Sequence, residues 1–145
     1  MRVYLTSGLV SKAVSGQEIS RLIQIRGDQT LHDLHKAIFK AFDRFEEHLY
    51  EFNLGRGPDD RSQRYFYDGG GRGKSKPRKA PETTTLDALK LRTGGRFGYT
   101  FDMGDNWEHV IDVVSVEKTS ARGKFPRVTQ KVGASPPQYP DEDEL

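Results

Sequence analysis

The chain contains no cysteine, which excludes disulfides, thiol nucleophiles, iron–sulfur clusters and every cysteine-based zinc site. It contains no apolar run near the ~18 residues that cross a bilayer. Its first residues, Met1-Arg2-Val3-Tyr4-Leu5-Thr6, lack the apolar stretch of a secretory signal. Both absences point to the cytoplasm and away from a membrane partner. Apolar side chains are scarce, at 34%, and mean hydropathy is −0.76, so a modest core with some polar, unpacked segments is expected. A Ser-His-Asp order, a metalloprotease helix motif and a dinucleotide fingerprint are also missing. The 145 residues suit one domain, read as 1–140 followed by an acidic tail at 141–145.

Charge is balanced overall, at +2, but segregated along the chain. Arg61, Arg64, Arg72, Lys74, Lys76, Arg78 and Lys79 stand against the single acid Asp68. Lys118, Arg122, Lys124, Arg127 and Lys131 form a second stretch without an acid, and Asp141 to Glu144 are all acidic. Such stretches suit a polyanion; they also suit solvated loops, and the acidic tail would compete for them.

Periodicity supplies the elements. Val3 and Leu5 alternate with polar neighbours in a first strand, and Ile19, Ile23 and Ile25 share one parity in a second. Thr30, with Asp33 three residues on, opens a helix predicted over 30–44. Its buried stripe is Leu31, Leu34, Ile38, Ala41, Phe42 and Phe45. Tyr50, Phe52 and Leu54 face one way in a strand at 48–54, and Arg64–Tyr67 is a short strand. Residues 68–82, rich in glycine, proline and lysine, are expected to be mobile. Thr85 caps a second short helix with Leu86 and Leu89 inward. Arg96–Met103 and Trp107–Glu117 form a hairpin around the loop Gly104-Asp105-Asn106. Pairing Met103 with Trp107, Phe101 with His109 and Tyr99 with Ile111 puts the apolar set on one face, and Asp102 then opposes Glu108. The prolines from 126 to 140 suggest extended segments lying against the body of the protein. The fold class is therefore α+β, a mainly antiparallel sheet covered by one main helix.

The run Thr30-Leu31-His32-Asp33-Leu34-His35, then His48-Leu49-Tyr50-Glu51-Phe52, then Tyr99-Thr100-Phe101-Asp102-Met103-Gly104-Asp105-Asn106-Trp107-Glu108-His109 resembles the plasmid open-reading-frame-three-like family named from the agropine-type Ri plasmid. The resemblance spans nearly the whole chain and implies the same α+β fold. Met103 stands where the family has an aromatic. Many members carry cysteines near the C-terminal prolines, and no role of those cysteines transfers to this chain. The family's occurrence on plasmids and beside transposon genes implies a mobile-element setting, and carries no activity with it.

Four groups could carry chemistry. Asp102, Asp105, Glu108 and His109 gather at the hairpin turn. Opposed carboxylates there would need a cation, a basic side chain or a shared proton, which is the basis of a hydrolase reading, metal-dependent or acid–base. The same residues are what a tight turn needs. His32 and His35, three apart on the helix, are neighbours that could ligate a metal, or a boundary residue and a solvated one. Asp68-Gly69-Gly70-Gly71-Arg72-Gly73-Lys74-Ser75 fails as a phosphate loop, because Asp68 replaces the first glycine and Pro77 follows where a helix should begin. Tyr65, Phe66 and Tyr67 beside that basic strip could stack on bases, or pack on the sheet. Trp107 is read as a core lid at the hairpin's end. The leading reading is a non-enzymatic binding or accessory module without a cofactor. Its polyanion contacts would be Arg72, Lys74, Arg78, Lys79, Lys124 and Arg127, giving weak, sequence-nonspecific nucleic-acid binding. A scaffold for another protein and the hydrolase are its rivals.

Overall fold

In the computed structural model, residues 1–8, 16–69, 79–118 and 122–139 are described. The elements are β1 (Arg2–Ser7), β2 (Ser20–Gln24), α1 (Leu31–Ala41), β3 (Tyr50–Asn53), β4 (Arg64–Tyr67), β5 (Arg96–Phe101), β6 (Trp107–Asp112) and β7 (Arg127–Val132). Two 3-10 turns, Arg61–Gln63 and Asp87–Leu89, complete them. The strands form one antiparallel sheet in the order β4-β3-β5-β6-β1-β2-β7, and α1 packs on one face. The α+β expectation holds.

The apolar stripe of α1 builds the core. Leu31, Leu34, Ile38 and Ala41 lie against Val3, Ile23, Phe52, Phe97, Phe101 and Ile111, all fully or nearly buried. The helix starts where the sequence places it. The Thr30 hydroxyl accepts from Asp33 N at 3.1 Å, and the Asp33 carboxylate accepts from Thr30 N at 2.9 Å. This reciprocal pair satisfies two backbone donors that a helix start leaves open. Thr30→Ala is expected to cost about 1 kcal/mol, read as a shift in the urea midpoint.

The other end corrects the sequence reading. The helix stops at Ala41, not Arg44, because Asp43 turns left-handed at φ 56. Asp43 N then donates to Lys40 O and Arg44 N to Phe39 O, closing the terminal carbonyls. Phe45, assigned to the buried stripe, is consequently carried past the helix and is 70% exposed. The proline-rich segment does lie against the body. Ser135 Oγ donates to Phe42 O, Pro136 O accepts from Arg44, and the buried Gln138 side chain accepts from Phe45 N and Glu46 N.

The hairpin has the predicted faces and a different register. Phe101 opposes Trp107, Tyr99 opposes His109, and Thr100, not Asp102, opposes Glu108. Asp102 leaves the strand at φ 66, accepts from Gly104 N and Asp105 N, and its carbonyl accepts from Asn106 N at 2.7 Å. The loop is thereby five residues rather than three. A slip of two residues keeps every side chain on its face and changes every partner.

Three smaller expectations also change. Residues 68–82 were expected to be mobile as a block. Ala80 is 1% exposed, and its carbonyl accepts from Thr83 and Thr84, so residues 79–82 are packed; residues 70–78 lie outside the described ones. The second helix is the 3-10 turn Asp87–Leu89, with Leu86 buried and the Thr85 hydroxyl accepting from Ala88 N. β7 belongs to a region read only as basic and proline-rich. Arg-Val-Thr-Gln-Lys-Val has no apolar alternation, because β7 is an edge strand held by β2 alone and largely exposed.

Candidate functional site

The hairpin residues do not converge. Asp102 is 7% exposed and committed to the turn's backbone donors. Asp105 sits in the turn beside it, and Glu108 is exposed on the face away from α1. His109 lies on the helix side, 4% exposed, with Nδ1 3.3 Å from Tyr99 O and its ring 5.2 Å from that of Phe42. Burial, aided by the Arg44 guanidinium, depresses its pKa to about 3. The ring thus lies on the opposite side of the sheet from the Glu108 carboxylate.

His32 and His35 do face one way, toward β3 and β5. His32 Nδ1 shares a 2.6 Å hydrogen bond with the Tyr50 hydroxyl. His35, 1% exposed, is bonded at Nδ1 to the Tyr99 hydroxyl (2.6 Å) and at Nε2 to the Glu47 carboxylate (2.9 Å). With the carboxylate accepting from Nε2–H, this arrangement suits a Tyr99 O–H that donates to Nδ1. The His35 ring stacks on Tyr50 at 3.9 Å. Both Nδ1 atoms meet tyrosine hydroxyls and His35 Nε2 meets Glu47, so the buried member of the pair is bonded to side chains rather than to a backbone carbonyl, which corrects the sequence expectation. Desolvation lowers the pKa of His32, and the hydrogen bond from His35 holds Glu47 below the usual carboxylate range. Among the described residues, no group of three or more His, Asp or Glu is arranged to hold a metal ion.

His48 is elsewhere, with Nε2 at 2.6 Å from the Tyr139 hydroxyl and 3.5 Å from Asp102. Trp107 is a core residue, fully buried under the Arg44 guanidinium, which lies 4.0 Å from the ring centroid. Tyr65 and Tyr67 pack on the core from β4, and Phe66 on the opposite face lies under the Arg64 guanidinium at 4.6 Å. The aromatic run is thus engaged with the sheet.

Of the polyanion candidates, Arg72, Lys74 and Arg78 lie outside the described residues, as does the acidic tail. Lys79, Lys124 and Arg127 are described; Arg61 and Arg64, at the start of the first basic stretch, lie just before and on β4, the edge opposite β7. Gln29, just before α1, donates through its side chain to Phe125 O at 2.8 Å, and its carbonyl accepts from Leu86 N. Leu31 N donates to Thr84 O, next to the turn that contains Lys79 and Ala80. Arg127 is set by Gln24 Oε1 (2.7 Å), by Arg122 O (3.2 Å) and by stacking on Phe125. Along β7 and the segment before it, Arg122, Lys124, Arg127 and Lys131 carry no ion pair among the described residues. Lys131, named in the second basic stretch but not among the polyanion contacts, lies with Arg127 on β7. Arg21 escaped the sequence reading. It is 3% exposed and donates to Ala41 O, Val132 O and Gly133 O, tying the helix end to β7.

No helix among the described residues is long and apolar enough to cross a membrane. No curated protein sequence matches the chain. The fold is similar to a crystal structure of a protein of unknown function, MM3350 from Methanosarcina mazei Go1. The TM-score is 0.65 at 22% identity, covering 94% of this chain and 70% of that one. The family model for plasmid pRiA4b ORF-3-like proteins matches residues 10–140, and the chain, with its capped His32/His35 helix and its Asp102–His109 hairpin turn, belongs to that family.

Proposed function

We propose that the protein is a non-enzymatic binding module that takes polyanions, nucleic acid above all, along the β7 edge. The observation that carries this reading is the acid-free run of cations on that edge, Arg122, Lys124, Arg127 and Lys131, all lacking an acidic partner among the described residues. Exposed edge strands carry lysine in any case, to discourage pairing with another chain. Salt-dependent binding is what separates the two roles.

With four phosphate contacts on duplex DNA, counterion release gives a log–log salt slope of about −3.6. Lys124→Ala and Lys131→Ala are each expected to reduce it by about 0.9 with little sequence dependence, since contacts to phosphate carry no base information. Removing Asp141 to Glu144 tightens binding by ending their competition. Fluorescence anisotropy against salt, for the full chain and the tail deletion, checks all three. Absence of binding at low salt by the tail-deleted chain removes the nucleic-acid reading.

A further inference from the structure

On β1, Val3 turns toward α1 and is fully buried, so Arg2 and Tyr4 take the opposite face of the sheet. Residues paired across antiparallel strands share a face, so the register places their neighbours. Tyr4 lies between Val110 of β6 and Ser20 of β2, with Val132 of β7 next in the row. Arg2 lies between Asp112 of β6 and Leu22 of β2, with Gln130 of β7 beyond. Pro58 comes down over Gly98 of β5, on the far side of β6 from Tyr4. Among the described residues no helix packs on this face.

Tyr4, Leu22, Val110 and Val132 are each partly exposed, and none belongs to the core or packs against it. They make an apolar island on a strand face that faces solvent, with one aromatic ring in its middle row.

The rim on one side of the island is cationic. Arg2 reaches across Leu22, its Nη2 donating to Gln130 Oε1 at 3.3 Å. Arg127 is on the same face, with Nε donating to Gln24 Oε1 at 2.7 Å. Asp112, the acid beside Arg2, is held by Arg96 through bonds of 2.6 and 3.1 Å. Glu18 and Glu108 lie toward the other end of β1, where Glu18 accepts from Ser20 Oγ and Glu108 opposes Ser7. The face is therefore graded along β1, basic at Arg2 and apolar at Tyr4. Its basic end runs into the acid-free β7 edge through Arg127.

An unpaired nucleic-acid strand has the matching order, with charge along its backbone and a flat, weakly polar base to one side. Two residues along a strand set Arg2 and Tyr4 about 7 Å apart, so a base on the ring leaves its phosphate toward the arginines. Guanidinium forks suit phosphate, and a tyrosine face accepts any base. In a duplex the bases are stacked on one another and cannot reach the ring.

We infer that this face is a single-strand site. The backbone of an unpaired nucleic acid follows Arg2, Arg127 and the β7 edge, and a base stacks on Tyr4. The inference rests on the polyanion reading and adds to it a strand preference and a base contact.

The test compares a fluorescein-labelled oligothymidylate with a duplex of the same length, by anisotropy with the full chain and with the chain lacking Asp141 to Glu144. A purely electrostatic surface favours the duplex, which releases more counterions per phosphate. The expected result is the reverse, with the oligothymidylate bound about tenfold more tightly at equal salt. Tyr4→Ala should weaken the oligothymidylate about tenfold and erase the preference, and Tyr4→Phe, which keeps the ring, should restore it. Arg2→Gln should lower the oligothymidylate salt slope by about 0.7 without changing that of the duplex. If Tyr4→Ala does not fold, the unmodified chain and Arg2→Gln decide. Equal or tighter binding of the duplex by the unmodified chain overturns the inference and leaves the polyanion reading standing. Unchanged oligothymidylate affinity in folded Tyr4→Ala, or an unchanged slope in Arg2→Gln, does the same. Failure of either chain to bind either probe at low salt overturns both.

Discussion

Acidification through the interval between His109's ordinary pKa of 6.5 and its folded value of about 3 should cost the fold roughly 4–5 kcal/mol from this one residue. The unfolded imidazole takes a proton near 6.5, while the folded ring, desolvated and facing the Arg44 guanidinium, refuses it until about 3. Within that window the unfolded state binds more protons than the native state, so stability falls as pH falls. His32, lowered chiefly by desolvation, acts in the same direction. Glu47, held low by its hydrogen bond from His35, adds its own loss below the usual carboxylate range. Urea unfolding across this interval should show the steep dependence in the native sequence and a shallower one in His109→Leu. Parallel curves for the two would show that His109 titrates freely in the folded protein.

Leu34→Ala and Ile38→Ala should each cost about 2–5 kcal/mol, the sum of lost transfer energy and the cavity left behind. Leu34 is 0% and Ile38 2% exposed, and both sit between the helix axis and the sheet. Phe45→Ala is the control. Its ring is 70% exposed and lies edge-on to Tyr139 at 5.7 Å, so its loss should stay below about 1 kcal/mol. Denaturant midpoints of the three variants check this directly. Equal losses at Phe45 and Leu34 would contradict the end of the helix at Ala41.

Phe45 marks where reading the sequence stops working. Its spacing continues the 3.6-residue stripe, and only the left-handed Asp43, stabilised by the contacts of Arg44, Pro136 and Gln138 around the helix end, takes it out of register. The hairpin fails in the same way. Alternation assigns Phe97, Tyr99, Phe101, Trp107, His109 and Ile111 to one face for any loop of odd length, three or five alike. The pairing itself depends on Asp102 bending the chain.

The residues by themselves determined what is local and periodic: the Thr30–Asp33 cap, the helical stripe through Ile38, the inward faces of β1, β2, β3, β5 and β6, the fold class and the family. These follow from side-chain periods of 3.6 and 2 and from hydrogen bonds three residues apart, which the order of residues encodes directly. Tertiary structure alone decided the partners. His35 meets Tyr99 across 64 residues, and Arg21 meets Val132 across 111. β7 is a strand because β2 has an open edge beside it, and Gly98 is needed because Pro58 comes down over it. Such contacts arise from which elements the core brings together, and no short stretch of sequence carries that information.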